Sequence, residues 1–405
     1  MTPNSSDRTR LLTYWSIAVA AQASFAMIAV SFPAAFGYGG KILVFDDVRI
    51  YFEYARPILE GRLPYRDYPV EYPILAIPFF VAPLVAGNHF DTYRFAFAAE
   101  MLLVNAAAVW LVARAVEETE GIAKVPARLL WYSLIFATLC PMLVCRFDLA
   151  PMLLAFASAR WMSRGRMTSG GFVAGLGVLV KLVPGLVVVP FLAKAGPCRA
   201  KAKGLAAFAL TVALGGLGWW ALGGEQVGRS FRYHSERGLE IGSLYASAYL
   251  VAHQLAGVLV FSHFDHGSMN LSGPGARDAA SLAPILQGAL LVLVAGRARE
   301  AKPGEEMRFA ASALLAYILP GKVLSPQYLI WLIPFVCTLG GATGVTARRI
   351  FLVCCVLTTA LYPHLFHALS YFEPLAVSIL AARNLGLACL FAILLDRGPR
   401  PSGPE

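Results

Sequence analysis

The chain has 405 residues, of which 58% are apolar and 14% charged, with a formal net charge of +10 and a mean hydropathy of +0.63. A soluble domain carries about 25% charged residues, so this composition excludes a soluble enzyme, a nucleic-acid binder, a disulfide-rich scaffold and a disordered chain. Its apolar runs are continuous rather than alternating, which excludes a β-barrel and leaves an all-α polytopic integral membrane protein.

In chain order, Met1 to Arg10 and the apolar stretch to about Pro33 read as an uncleaved signal anchor. Twelve spanning helices are predicted, at 11–33, 91–113, 129–145, 148–162, 168–180, 183–194, 204–222, 279–296, 308–320, 326–341, 350–369 and 375–395. Several fall short of the ~20 residues that a crossing needs, and they come in pairs around broken tips. Residues 1–405 form a single membrane domain, with 35–90 as its first outer loop. Two further apolar stretches, Ile74–Gly87 and Leu244–Phe261, are read as juxtamembrane or re-entrant helices, the first broken by prolines and the second by His253 and Gln254.

Charge supports that count. The terminal segments and every second connector hold 20 Lys/Arg against 9 Asp/Glu, and the rest of the chain holds 14 against 15. A thirteenth crossing would destroy this asymmetry. The Lys/Arg-rich set is therefore cytoplasmic, both termini included, and the basic excess is topological rather than a nucleic-acid patch.

The opposite face collects polar residues where they are costly. Its first loop carries Asp46, Asp47 and Tyr51, then Gly61-Arg62-Leu63-Pro64-Tyr65 and Glu71-Tyr72-Pro73. Held near the lipid interface, such a carboxylate can act as general base towards a hydroxyl. An interfacial loop with tyrosine anchors and solvated acids fits the same residues equally well. Later connectors add Arg146-Phe147-Asp148, Lys181, Arg229–Ser243, Lys322–Gln327 and His364–Glu373.

Together these motifs resemble glycosyltransferase family 87, polytopic enzymes of the GT-C type. The resemblance rests on Asp47/Tyr51, Gly61/Pro64/Tyr65, Glu71/Tyr72/Pro73, Arg146/Phe147/Asp148 and Lys181/Leu182/Pro184, with His234/Arg237/Gly238/Leu239 and Ser325/Pro326/Gln327/Tyr328/Trp331 following in order. Ile74 stands where a second proline is usual. The resemblance implies inverting transfer of a sugar, most often mannose, from a polyprenyl phosphate to a lipid or glycan acceptor outside the plasma membrane. Asp47 is then the base, with Asp46 in reserve. Lys181, Arg237 and Lys322, followed by Arg146 and His234, would neutralise the departing phosphate. Tyr51, Tyr65, Glu71, Tyr72, Asp148, Ser325, Gln327 and Tyr328 would contact substrate, with Asp148 orienting a sugar hydroxyl or holding Arg146. The expected partners are membrane lipids, the donor and the acceptor. No cofactor or metal site is expected, although metal assistance stays open. A transporter or flippase of a lipid-linked sugar is the rival reading, since short helix pairs are common in transporters.

The remaining polar residues have plainer readings. Glu100 and Arg383, inside predicted helices at matching depth, are expected to pair, with lining a lipid groove as the other option. The pairs His263/His266 and His364/His367 read as interfacial rather than metal-binding, and the seven cysteines as small buried residues. Trp219 and Trp220 are expected at the membrane interface.

Overall fold

The computed structural model describes residues 5–37 and 46–396, with the side chain of His234 outside that description. The fold is an α-helical bundle, and a helical segment occupies each of the twelve predicted stretches. Among the described residues, seven helices are long and apolar enough to cross a membrane: Ser5–Ser31, Phe90–Glu120, Ile122–Leu139, Cys198–Gly223, Ala276–Ala298, Gly341–His364 and Pro374–Leu395. The other five, Leu149–Ser163, Met167–Val180, Val183–Ala193, Glu306–Ile318 and Pro326–Thr338, are shorter. At 1.5 Å per residue a 15-residue helix covers about 22 Å of a roughly 30 Å hydrocarbon core. By length, then, the structure supports seven of the twelve expected crossings.

Burial explains the short ones. Glu306–Ile318 is buried on nearly every side from Arg308 to Ile318, as an all-round apolar helix must be. By contrast, Cys198–Gly223 buries only Gly204, Trp219 and Gly223, so one long face is left to lipid. Short helices fill the centre of the bundle and long ones form much of its rim.

Connectors meet others of their own set. At one end Glu118 bonds Arg160, Glu120 bonds Arg128, and Lys194 pairs with Glu306. At the other, Arg146 pairs with Asp47 and Lys181 with Asp148. Between the ends, a chain of polar side chains joins three helices. Asn105 donates to Gln22 at 2.6 Å, Gln22 to Ser133 at 2.8 Å, and the Tyr132 hydroxyl to Asn105 at 2.9 Å. Each group satisfies another where water is absent.

Three expectations change. The stretch 244–261 is helical only to Ala256, where Gly257 (φ +68°) caps it in a left-handed conformation. The chain then enters a small antiparallel sheet of β1 (Leu239–Glu240), β2 (Phe261–Asp265) and β3 (Ser268–Ser272), in the order β1-β3-β2. Glu100 and Arg383 do not pair: Arg383 donates to the Gly242 carbonyl at 2.7 Å, and Glu100 Oε2 has no partner among the described residues. Of the two tryptophans, Trp220 is exposed as expected, while Trp219 is buried against Tyr65 and Phe231.

Asn105→Ala would strand the Tyr132 hydroxyl and the Gln22 amide. We expect a loss of about 1–2 kcal/mol, read as a lower Tm of the purified protein in detergent.

Candidate active site

The first loop opens with a helix, Asp46–Ala55, that has both acids in its first turn. Carboxylates are favoured there by the exposed N–H groups of the helix end. One turn on, Tyr51 points into an aromatic cluster, stacked on Phe80 at 4.5 Å with Tyr72 and Phe147 edge-on. Tyr65 is buried too, and its hydroxyl donates to the Tyr72 carbonyl at 2.7 Å. Both tyrosines pack the loop against the bundle. Asp46 stays exposed.

Asp47 forms an ion pair with Arg146. Asp148, expected to orient a sugar hydroxyl or to hold Arg146, is engaged by other partners in the structure. Asp148, 1% exposed, accepts from Lys181 Nζ at 2.7 Å and from Trp331 Nε1 at 2.8 Å through the same oxygen. Lys181 also lies 4.9 Å from the centre of the Phe147 ring and 5.3 Å from that of Trp331. Burial pulls the Lys181 ammonium below its usual range, and Asp148 opposes the shift.

Beyond Lys181 lies a cavity of about 200 Å³ that Lys181, Arg237, Lys322 and Glu71 line together. Three cations thus face one carboxylate. Lys322 donates to the Ser235 carbonyl at 2.7 Å, and its ammonium is also lowered by burial and by Arg237 nearby. Burial pushes the Glu71 carboxyl up, with Arg237, His266 and a Tyr233 hydrogen bond pulling it back. Arg237 carries a buried Nε–H that finds no acceptor among the described residues. A guanidinium donor without a partner in a cationic cavity calls for an anion.

Of the other expected residues, Tyr72 and Tyr328 line the cavity, Tyr328 stacking on Trp331 at 4.4 Å. Ser325 occupies the cap position of Pro326–Leu332, and neither it nor Gln327 is among the lining residues. His234's side chain lies outside the described residues. Sequence reasoning missed much of the wall, including Trp219, Phe231, Pro284, Gln287 and Tyr317. Gln287 donates to the Tyr317 carbonyl at 2.8 Å and so closes that side. An uncharged amide at mid-helix was the only available signal, and nothing in the spacing tied it to the loops.

The sequence profile of glycosyltransferase family 87 matches residues 70–326. The match takes in Glu71, Arg146, Asp148, Lys181, Arg237 and Lys322, and it begins after Asp47 and ends before Trp331. No curated protein matches the chain.

Asp148→Asn leaves Lys181 buried without its carboxylate, so the ammonium releases its proton at lower pH. The alkaline limb of any activity that needs Lys181 charged should therefore move to lower pH in this variant. A pH–rate profile of wild type and variant checks this; an unmoved limb takes the Lys181 charge out of the reaction.

Proposed function

The chain belongs to glycosyltransferase family 87, and from that premise we propose that it transfers a sugar, mannose first, from a polyprenyl phosphate to a lipid or glycan hydroxyl outside the plasma membrane. It is a multi-pass membrane glycosyltransferase, which sets transfer above the transport reading. The observation that carries the donor assignment is the cavity: three cations, one of them with an unsatisfied buried donor, inside walls that are otherwise largely apolar and aromatic.

In the proposed reaction the acceptor oxygen attacks the anomeric carbon as the bond from that carbon to the phosphate oxygen breaks. The proton passes to Asp47, with Asp46 as the reserve base. The polyprenyl phosphate departs as an already stable anion, so the leaving group needs no proton. Lys181, Arg237 and Lys322 supply fixed positive charge where negative charge develops, and in a dry site this is worth far more than in water. Arg146, and His234 by resemblance, complete the basic rim. Arg146 pairs with Asp47 and, in this reading, holds its carboxylate towards the acceptor.

Donor and acceptor then approach from different sides. Trp219 and Phe231 form one apolar flank of the cavity, and Ala283 and Pro284 the other. The second flank, and Trp219 in the first, belong to Cys198–Gly223 and Ala276–Ala298, two helices that turn most of their surface outward. A prenyl chain can leave between them into the bilayer, while the acceptor reaches Asp47 from the first loop. The outward orientation of this end rests on the Lys/Arg excess at the other.

The test is transfer of radiolabelled sugar from synthetic polyprenyl-phosphate donors by the purified protein. We expect Asp47→Asn to lower turnover about 10²–10⁴-fold, the usual worth of a general base, with Asp46→Asn close to wild type. Inactive Asp46→Asn beside active Asp47→Asn moves the base by one residue. Full activity in both removes the general-base assignment, and no transfer from any donor removes the donor class.

A further inference from the structure

Two of the three cavity cations stand on short stretches of backbone outside the long helices. Arg237 leads into β1, and Lys322 sits at the tip between Glu306–Ile318 and Pro326–Leu332. Glu240, 7% exposed, joins them. Its N–H donates to the Lys322 carbonyl at 2.9 Å, and its Oε2 accepts from the Leu324 N–H at 2.7 Å. One residue thus grips the tip on both sides of Val323, through backbone and side chain together.

Behind it stands the last long helix, Pro374–Leu395. Arg383 Nη2 donates to the Gly242 carbonyl at 2.7 Å. Asn384 donates to the Gly242 carbonyl at 3.2 Å, the Ser243 carbonyl at 3.1 Å and the Ser247 hydroxyl at 2.6 Å. Arg383 is 3% exposed and Asn384 fully buried. There is no slack in the assembly: a methyl group on Gly242 would lie 2.9 Å from the Leu324 carbonyl oxygen. Burial pushes the Glu240 carboxyl up, and the Leu324 N–H, Arg237 and Arg383 pull against that shift.

We propose that Glu240 and Arg383 are positioning residues of the phosphate site, clamping 237–243 against the 322–325 tip and so setting the separation of Arg237 and Lys322. The proposal rests on the reading of those two cations as phosphate ligands. Neither Glu240 nor Arg383 lines the cavity; each acts through the backbone it holds. Fixed charges stabilise a departing anion only when they already stand where it forms. A misplacement of about 1 Å can cost orders of magnitude in rate. An arginine buried in an apolar helix is otherwise expensive, and this duty gives it a reason to be there. Arg383 lies beyond the residues that match the family, so the buttress is supplied by a part of the chain outside that match.

The experiment is competitive inhibition of sugar transfer by farnesyl phosphate, a probe with a phosphate and a prenyl chain but no sugar. Full-length wild type, Glu240→Gln, Arg383→Met and the double variant are compared at matched folded amounts, fixed by size-exclusion elution and Tm. Both single variants should raise the inhibition constant and the donor KM by at least about tenfold. Because the two residues hold one unit, the double variant should be no worse than the worse single one. Arg383→Lys, which keeps the charge, should recover part of the loss and stands in if Arg383→Met fails to fold. Unchanged inhibition constants in variants of normal Tm, or fully additive losses, overturn the clamp. A wild type that transfers sugar yet ignores farnesyl phosphate overturns instead the phosphate reading of Arg237 and Lys322.

Discussion

A carboxylate shut away from water needs protein donors in place of solvent, and at Asp148 two stand there. The ammonium of Lys181 and the indole N–H of Trp331 share one oxygen, at 2.7 and 2.8 Å. Those three residues come from three separate segments of the chain, so a single buried carboxylate ties them together. Breaking such a pair by removing one member leaves the other stranded, which costs far more than the pair is worth as a net stabiliser. Everything else in the site is arranged outward from that point. Phe147 beside Asp148 packs on Tyr51 and Tyr72 and thereby seats the first loop, and Arg146 on the other side reaches Asp47.

Much of this was legible in the sequence because the bilayer is a demanding solvent. Apolar runs, their short pairing and the sorting of Lys/Arg placed a helical segment at every predicted stretch, and polar residues at the wrong depth marked the cavity cations Lys181, Arg237 and Lys322. What was not legible depends on contacts between distant segments. Tyr51 and Tyr65 have the side chains of ligand contacts, yet aromatic stacking uses both in packing. Arg383 was seen to need a partner, but its partner is the carbonyl of Gly242, and a carbonyl has no signature in a sequence. The small sheet was hidden for a related reason: its strands hold 2, 5 and 5 residues, too few for an alternation to stand out beside long apolar helices.

The two halves of the proposed chemistry sit on different parts of the chain relative to the family match. The cations Lys181, Arg237 and Lys322 lie inside the residues that match family 87, whereas Asp47, Trp331 and Arg383 lie outside them. Contacts cross that boundary at each point: Asp47 to Arg146, Trp331 to Asp148, and Arg383 to Gly242. On the proposed reading, the matched region carries the anion site and Glu240, and the flanking regions add Asp47 and Arg383.

The central claim is that the Lys181–Arg237–Lys322 cavity receives the phosphate of a lipid-linked sugar. It is tested most directly by a structure of the protein in lipid with a non-transferable polyprenyl-phosphate sugar bound. The phosphate should lie within hydrogen-bonding distance of all three cations, with Arg237 Nε satisfied and the prenyl chain leaving between Trp219 and Pro284. A phosphate bound elsewhere, away from these three cations, would contradict it.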